Sequence, residues 1–249
     1  MQNIIFYIVV HNVSIIELFE RNEKYKKLGN YRYLLVGNHK ENHNNKFIIQ
    51  CNSLTGNIEE QKYLTAYTAW YIVAKTPTLT EGYDYICFLE YDTDVMEEFN
   101  LDKFKEIIFS QKKPVYGISQ MHIRDGIFVK THFTAKLMEF LYKKQIKEIT
   151  PNSEYWITTN NVFFNTQFLI EYFNNPLTEE FIKFLGNDRM SGHSLERFVS
   201  IYCYLKDIKF GVYEDSHLVH RGLDSHQTQG IYNSPRGYEQ FKIANKISD

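Results

Sequence analysis

Cysteine, proline and glycine are scarce in this sequence, and long apolar runs are missing. The 249 residues include only 3 cysteines, 5 prolines and 12 glycines. Cys51, Cys87 and Cys203 are widely spaced and odd in number, and the chain contains no CxxC pair. This pattern argues against a disulfide framework or a cysteine metal site, and it favours a reducing compartment such as the cytoplasm, which would be the host cytoplasm for a viral chain.

Net charge and hydropathy exclude two further classes. The formal net charge is −2 and the pI is about 6.5, so no overall basic field exists to attract nucleic acid or an anionic membrane. The first apolar run, residues 4–10, lacks a preceding basic segment. It is also far shorter than the roughly 18 apolar residues that a membrane helix needs. We therefore expect no nucleic acid partner and no integral membrane segment.

What is present is an alternation of strand-like and helix-like segments. Strands are predicted over 3–10, 31–38, 46–52, 83–95 and 114–120, and helices over 12–28, 57–77 and 101–111. The second half is more mixed, with helices predicted over 133–146 and 194–207 and strands over 155–165 and 209–215. No linker, repeat or low-complexity block interrupts the chain. The alternation predicts one α/β domain with a mostly parallel sheet and helices on both faces.

The stretch YDYICFLEYDTDV, residues 83–95, carries the main chemical signal. Its apolar strand ends in acid, where open α/β sheets bind ligands. In an extended segment Asp92 and Asp94 project to the same side, with Glu90 on that side too if the strand continues. Such a pair of carboxylates suits Mg²⁺ or Mn²⁺. Because Asp92 and Asp94 alone account for a metal, Glu90 ranks below them.

These residues resemble the Asp-x-Asp motif of glycosyltransferases with the GT-A fold. Three softer similarities, to bacterial and giant-virus members that build surface polysaccharide, are the segments QKYLTAYTAWYIVAK, YWITTNNVFF and GHSLERFVSIYCYL, and the resemblance spans residues 3–222. It implies a Rossmann-like three-layer α/β/α sandwich forming one domain over 1–249. Residues 1–120 would bind a nucleotide-sugar, 121–222 would face the acceptor, and 223–249 would be a tail.

The resemblance also implies an activity and its partners. The expected reaction is hexosyl transfer from a nucleotide-sugar, with UDP favoured, to a hydroxyl of a glycan or glycoconjugate, with Mn²⁺ or Mg²⁺ as cofactor. Many such enzymes take a C-terminal histidine as a further metal ligand, and His220 fits that position better than His217. Either histidine could instead be a surface or core residue. Arg221 could face the diphosphate, or be an ordinary surface arginine.

An inverting transfer needs one general base. Glu196 is the first candidate, because it is predicted in the first turn of helix 194–207, where the helix N-terminus would keep it ionised. Asp188, in the preceding polar loop, is the second. Glu196 could otherwise pair with Arg197 or Arg189. A retaining reaction without a protein base, and a non-catalytic nucleotide- or sugar-binding scaffold, stay open as alternatives.

Further residues are candidates for binding donor and acceptor. His11 and Asn12 follow the first strand, where the nucleotide base would lie, although Asn12 also suits a helix cap. Tyr63 could reach the base or ribose, or could be a core residue. The candidate sugar contacts are Trp156, Asn160 and Asn161. A sugar nucleotidyltransferase is disfavoured because no glycine-rich loop follows the first strand, and a metal hydrolase because no HxH motif is present.

Overall fold

A central sheet of seven strands organises the fold. The computed structural model describes residues 2–41, 43, 45–64, 66–118, 120–122, 135–145, 155–157, 160–186, 191–213 and 217–220. The strands are β1 Ile4–Val10, β2 Tyr31–Leu35, β3 Ile48–Gln50, β4 Tyr85–Glu90, β5 Thr93–Val95, β6 Val115–Gly117, β7 Gln120–His122, β8 Tyr155–Ile157, β9 Val162–Asn165, β10 Gly211–Val212 and β11 Leu218–His220. The main sheet has the order β10-β6-β9-β4-β1-β2-β3, and β5 with β11 and β7 with β8 form two small ribbons.

The main sheet is mostly parallel, as predicted. β1 pairs in parallel with β2 and β4, β2 with β3, and β6 with β10. β9 alone runs the other way, since it is antiparallel to both β4 and β6. The carboxyl ends of β1, β2 and β4 therefore meet at one edge, where a ligand site is expected.

Helices cover both faces of the sheet. They are α1 Val13–Arg21, α2 Ala66–Lys75, α3 Pro77–Thr80, α4 Leu101–Gln111, α5 Ala135–Lys143, α6 Thr166–Asn174, α7 Pro176–Leu185 and α8 Ser191–Leu205. Alternate residues of β1 belong to separate cores: Ile5 packs in a core with α2 and α5–α8, and Phe6 in a core with α1 and α4. The three-layer α/β/α prediction is confirmed. Within the described residues, no helix is long and apolar enough to cross a membrane.

Several predicted boundaries are wrong for identifiable reasons. α1 stops at Arg21, and Glu23 takes a left-handed backbone (φ 51°) that an α-helix cannot contain. The helix predicted from Asn57 begins only at Ala66, because the Asn57 amide instead bonds Leu54 O and Glu59 N in a local turn. The segment 155–165 is divided between β8 and β9.

Two other corrections concern the candidate site directly. The strand predicted over 83–95 ends at Glu90, turns at Tyr91 and Asp92, and resumes as β5 in a different sheet. Helix α8 begins at Ser191, so Glu196 lies beyond its first turn. The helix N-terminus therefore does not stabilise the Glu196 carboxylate as the sequence analysis expected. Asp188, Arg221 and the tail 223–249 lie outside the described residues.

Candidate metal centre

The end of β4 and the ribbon of β5 and β11 bring three ligand-type side chains together. β4 is buried from Tyr85 to Leu89 and delivers Glu90 to the sheet edge, and Asp92 follows in the turn. His220 lies opposite Thr93 in the antiparallel pairing of β11 with β5. Since this pairing joins distant parts of the chain, the histidine reaches the acidic turn through tertiary structure alone.

The three side chains are close enough to share one cation. His220 Nε2 lies 2.9 Å from Glu90 Oε2 and 3.1 Å from Asp92 Oδ1. One ligand atom from each residue falls within 4.8 Å of the other two, the only group of three of this kind among the residues that the structure describes. Their side chains are 6–23% exposed, so solvent screens them weakly.

The electrostatics of this group are those of a site that favours positive charge. Burial alone would lower the pKa of His220, but the Asp92 and Glu90 carboxylates outweigh it and raise that pKa well above its usual value. Burial alone would raise the pKa of Asp92, but His220 and then Lys24 hold it below the usual range. Both carboxylate neighbours thus stabilise a cation at the position of the imidazole.

Asn160 and Asn161, predicted as sugar contacts, lie beside the acidic residues. Asn160 Nδ2 donates to Glu90 Oε1 at 2.7 Å. The fully buried Asn161 Oδ1 accepts from Glu90 N at 2.8 Å and from Thr93 Oγ1 at 2.7 Å. Asn161 therefore ties the end of β4 to the start of β5, across the turn that contains Asp92.

The other residues predicted as metal ligands have different surroundings. Asp94 Oδ1 lies 3.2 Å from Lys24 Nζ, and Asp94 is outside the group of three. His217 begins the approach to β11, and its carbonyl accepts from Met96 N at 2.9 Å. Glu90, which ranks below Asp94 in the sequence analysis, lies in the group with Asp92 and His220, whereas Asp94 does not. The available signal was the i, i+2 spacing of Glu90 and Asp92 at the true end of the strand.

The candidate nucleotide contacts lie at or near the same edge. His11 is exposed, and its ring stands edge-on to Tyr91 with centroids 6.2 Å apart, next to the acidic turn. Asn12 caps α1, since its Oδ1 accepts from Ser14 N at 2.8 Å. Tyr63 belongs to a short 3₁₀ helix, Lys62–Leu64, that packs against α8. β8 contains Trp156, whose side chain is outside the described part.

Glu196 is a partly buried carboxylate of α8. Its Oε2 lies 3.4 Å from Arg197 Nη1 and 3.8 Å from His193 Nδ1. The Tyr67 hydroxyl is buried without a hydrogen-bond partner in the described structure. Burial, then Glu196 and Glu90, raise the pKa of Tyr67 well above its usual value.

Comparison with known proteins gives weak structural similarity to glycosyltransferases. No protein-family model matches the sequence, and no curated protein sequence is significantly similar. Mouse xyloside xylosyltransferase 1 in its apo form has 8% identity and a TM-score of 0.46, covering 85% of this chain and 84% of its own. Core-mannan synthase A from Aspergillus fumigatus, in an Mn/GDP form, has 12% identity and a TM-score of 0.40, covering 79% and 67%.

A third solved structure is galactosyltransferase LgtC in complex with donor and acceptor sugar analogs. It has 10% identity and a TM-score of 0.39, covering 86% of this chain and 73% of its own. At this level of similarity, the functional argument depends on the geometry of the site itself.

Proposed function

We propose that this chain is a metal-dependent glycosyltransferase of the GT-A fold, which moves a sugar from a nucleotide-sugar to a hydroxyl of a glycan acceptor. The observation that carries the proposal is the grouping of Glu90, Asp92 and His220 at the carboxyl edge of a mostly parallel sheet. That edge is where α/β folds of this kind bind nucleotides. The resemblance of Asp92-Thr93-Asp94 to the Asp-x-Asp motif supports the same class through Asp92, whereas Asp94 lies outside the group of three.

The donor atoms fit a divalent cation such as Mn²⁺ or Mg²⁺. Asp92 Oδ1 is buried and, despite lying 3.1 Å from His220 Nε2, makes no hydrogen bond of normal geometry with a described residue. A buried carboxylate oxygen left in this way is stabilised by a cation. Two carboxylates and an imidazole suit Mn²⁺ in particular. When bound, the cation would neutralise charge on the departing diphosphate.

Glu196 is the proposed general base of an inverting reaction. It would take the proton from the acceptor hydroxyl. Arg197 Nη1 lies 3.4 Å from Glu196 Oε2, so the guanidinium competes with an acceptor hydroxyl for this carboxylate. That contact favours the alternative of a retaining transfer without a protein base. Asp188 is the second candidate for the base.

Donor and acceptor contacts are proposed from position. His11, whose ring lies beside Tyr91, is the proposed contact for the nucleotide base, and Asn12 and Tyr63 are further candidates. Asp92 would also contact the donor, and Arg221 its diphosphate. Asn160 and Trp156 would face the sugars. Only the sequence resemblance favours UDP over other nucleotides, so the test must include donors with other nucleotides.

A panel of UDP-, GDP- and dTDP-sugars, incubated with and without Mn²⁺ and scored by released nucleotide, tests the proposal. We expect release from one donor class only, dependent on Mn²⁺ and abolished by His220→Ala. Metal-dependent nucleotide binding without turnover of any donor would favour a binding scaffold instead. Absence of both binding and turnover would overturn the proposal.

A further inference from the structure

The turn that carries Asp92 is held by two residues that follow α1. Lys24 Nζ donates to Tyr91 O at 3.0 Å and lies 3.2 Å from Asp94 Oδ1. The Tyr25 hydroxyl lies 2.9 Å from Tyr91 O and 3.2 Å from Thr93 O. These contacts reach the backbone on both sides of Asp92, so they restrain the position of its carboxylate.

These contacts lie in the interior of the protein. Tyr25 is fully buried, and the Lys24 side chain is 15% exposed, with its ammonium 4.3 Å from the centroid of Phe19. Burial of a lysine costs free energy unless the charge is paired. Asp94 supplies that pairing, and its own side chain is 25% exposed. An anion at position 94 therefore stabilises Lys24 in the place from which it bonds the turn.

The geometry points to a positioning role for Lys24, Tyr25 and Asp94, which we call the brace. We infer that the brace fixes the 91–92 turn so that Asp92 meets Glu90 and His220 at one cation, and that Asp94 acts through Lys24 and not as a ligand. This inference rests on the proposed metal centre. Outer-shell residues that orient metal ligands are worth about 10–100-fold in metal affinity.

Positioning and simple electrostatics predict opposite effects of removing Lys24. The ammonium lies near the acidic group and contributes to lowering the pKa of Asp92, so as a charge alone it opposes cation binding. Lys24→Met would then tighten Mn²⁺ binding. If Lys24 holds the turn, its loss weakens binding, because Asp92 is no longer fixed at the shared position.

Titration of the 249-residue chain with Mn²⁺, in which electron paramagnetic resonance measures the free ion, separates these cases. We expect Lys24→Met to weaken Mn²⁺ binding by about 10-fold. The uncharged change Tyr25→Phe should weaken it by about five-fold, as for the loss of one hydrogen bond. Lys24→Arg, which keeps the charge and most of the reach, should restore most of the affinity. Lys26→Met is the matched control, because the exposed Lys26 forms an ion pair with Glu23 at 2.9 Å, away from the turn. This variant should bind Mn²⁺ like the wild type.

The double variant Lys24→Met/Asp94→Asn tests the role of Asp94. If Asp94 acts through Lys24, the double variant binds Mn²⁺ no more weakly than Lys24→Met. An additional loss of 10-fold or more would make Asp94 a ligand and overturn this part of the inference.

Other outcomes separate the brace from the function on which it rests. The brace alone would be overturned if the wild type binds Mn²⁺, Lys24→Met binds it equally or more tightly, and Tyr25→Phe binds it equally. Failure of the wild type to bind Mn²⁺ would overturn both. Circular dichroism checks that each variant is folded, and Tyr25→Phe, which keeps the buried ring, carries the test if Lys24→Met does not fold.

Discussion

Glu90 and Asp94 flank Asp92 at equal distances along the chain, yet the structure gives them different partners. Glu90 contacts His220 and Asn160, whereas Asp94 contacts Lys24. The difference arises because the chain turns at Tyr91 and Asp92, which breaks the alternation expected of one extended strand. The turn therefore decides which carboxylates would share the proposed cation.

Replacement of Glu90 by Gln tests this assignment. The change keeps the shape of the side chain but removes its charge, so Mn²⁺ affinity should fall by at least the roughly 10–100-fold that loss of an outer-shell partner costs. Titration calorimetry with Mn²⁺ and UDP measures it. The exposed Glu98, changed to Gln, is the matched control. Equal affinities in the two variants would remove Glu90 from the metal centre.

Glu196→Gln separates binding from chemistry. If Glu196 is the base, transfer should drop by about 100-fold or more, the range of a general base, while Mn²⁺ and donor binding stay within about two-fold of wild type. Initial rates and calorimetry on one preparation give both quantities. Near-full activity would exclude Glu196 as the base and favour the retaining alternative.

At the scale of elements, Asn161 links β9, β4 and β5 through one amide oxygen. Its Oδ1 accepts from Glu90 N and Thr93 Oγ1, and all three groups are largely screened from solvent. We expect Asn161→Ala to destabilise the protein by about 2–4 kcal/mol, because two buried donors lose their acceptor. Chemical denaturation measures this change.

The helix cap Asn100 provides the comparison for Asn161. Its Oδ1 accepts from Lys103 N at 3.0 Å at the exposed start of α4. Asn100→Ala should cost about 1 kcal/mol and leave Mn²⁺ affinity unchanged, whereas Asn161→Ala should weaken it. A smaller stability loss for Asn161→Ala than for Asn100→Ala would contradict the linking role.

The elements also show what sequence reasoning could reach. The predicted helix 101–111 matches α4, because its apolar spacing and its Asn100 cap agree. Helices α6 and α7 were not predicted, although Asn165, Asn175 and Pro176 are recognisable start signals. The pairing of β5 with β11, which brings His220 to Asp92, involves only three residues from each strand and carries no local signal. Local rules therefore predict the layers of the fold, while the composition of the candidate metal centre depends on contacts between distant segments.

At the scale of the whole molecule, tyrosines supply much of the buried interior, and their ionisation limits stability at high pH. Tyr31 and Tyr33 both donate to Glu20 Oε1, at 2.9 and 2.8 Å. Burial, followed by the bond to Glu20, raises the pKa of Tyr31 to about 12, against about 10 in the unfolded chain. The same two causes raise the pKa of Tyr33. The unfolded chain thus loses these protons first.

We therefore expect the tyrosine contribution to stability to be complete below about pH 10 and to be lost as the pH rises towards 12. Melting temperatures across this range, with phenolate absorbance followed in parallel, measure the loss. Tyr31→Phe should show a shallower decline, because one titrating group is removed. A melting temperature that stays constant between pH 10 and 12 would contradict the expectation.

Cation binding should stabilise the whole molecule, because the three proposed ligands join β4, the following turn and β11. At about 100 times its dissociation constant, a cation that binds only the folded chain adds about 2.7 kcal/mol. For 249 residues this raises the melting temperature by about 5–10 °C, at about 2–4 °C per kcal/mol. EDTA should reverse this rise in melting temperature, and His220→Ala should not show the rise. The control variant Lys26→Met, changed at an exposed site, should show the full rise. A shift of the same size in His220→Ala would show that the cation binds elsewhere, since that variant lacks the ligand that β11 supplies beside Glu90 and Asp92.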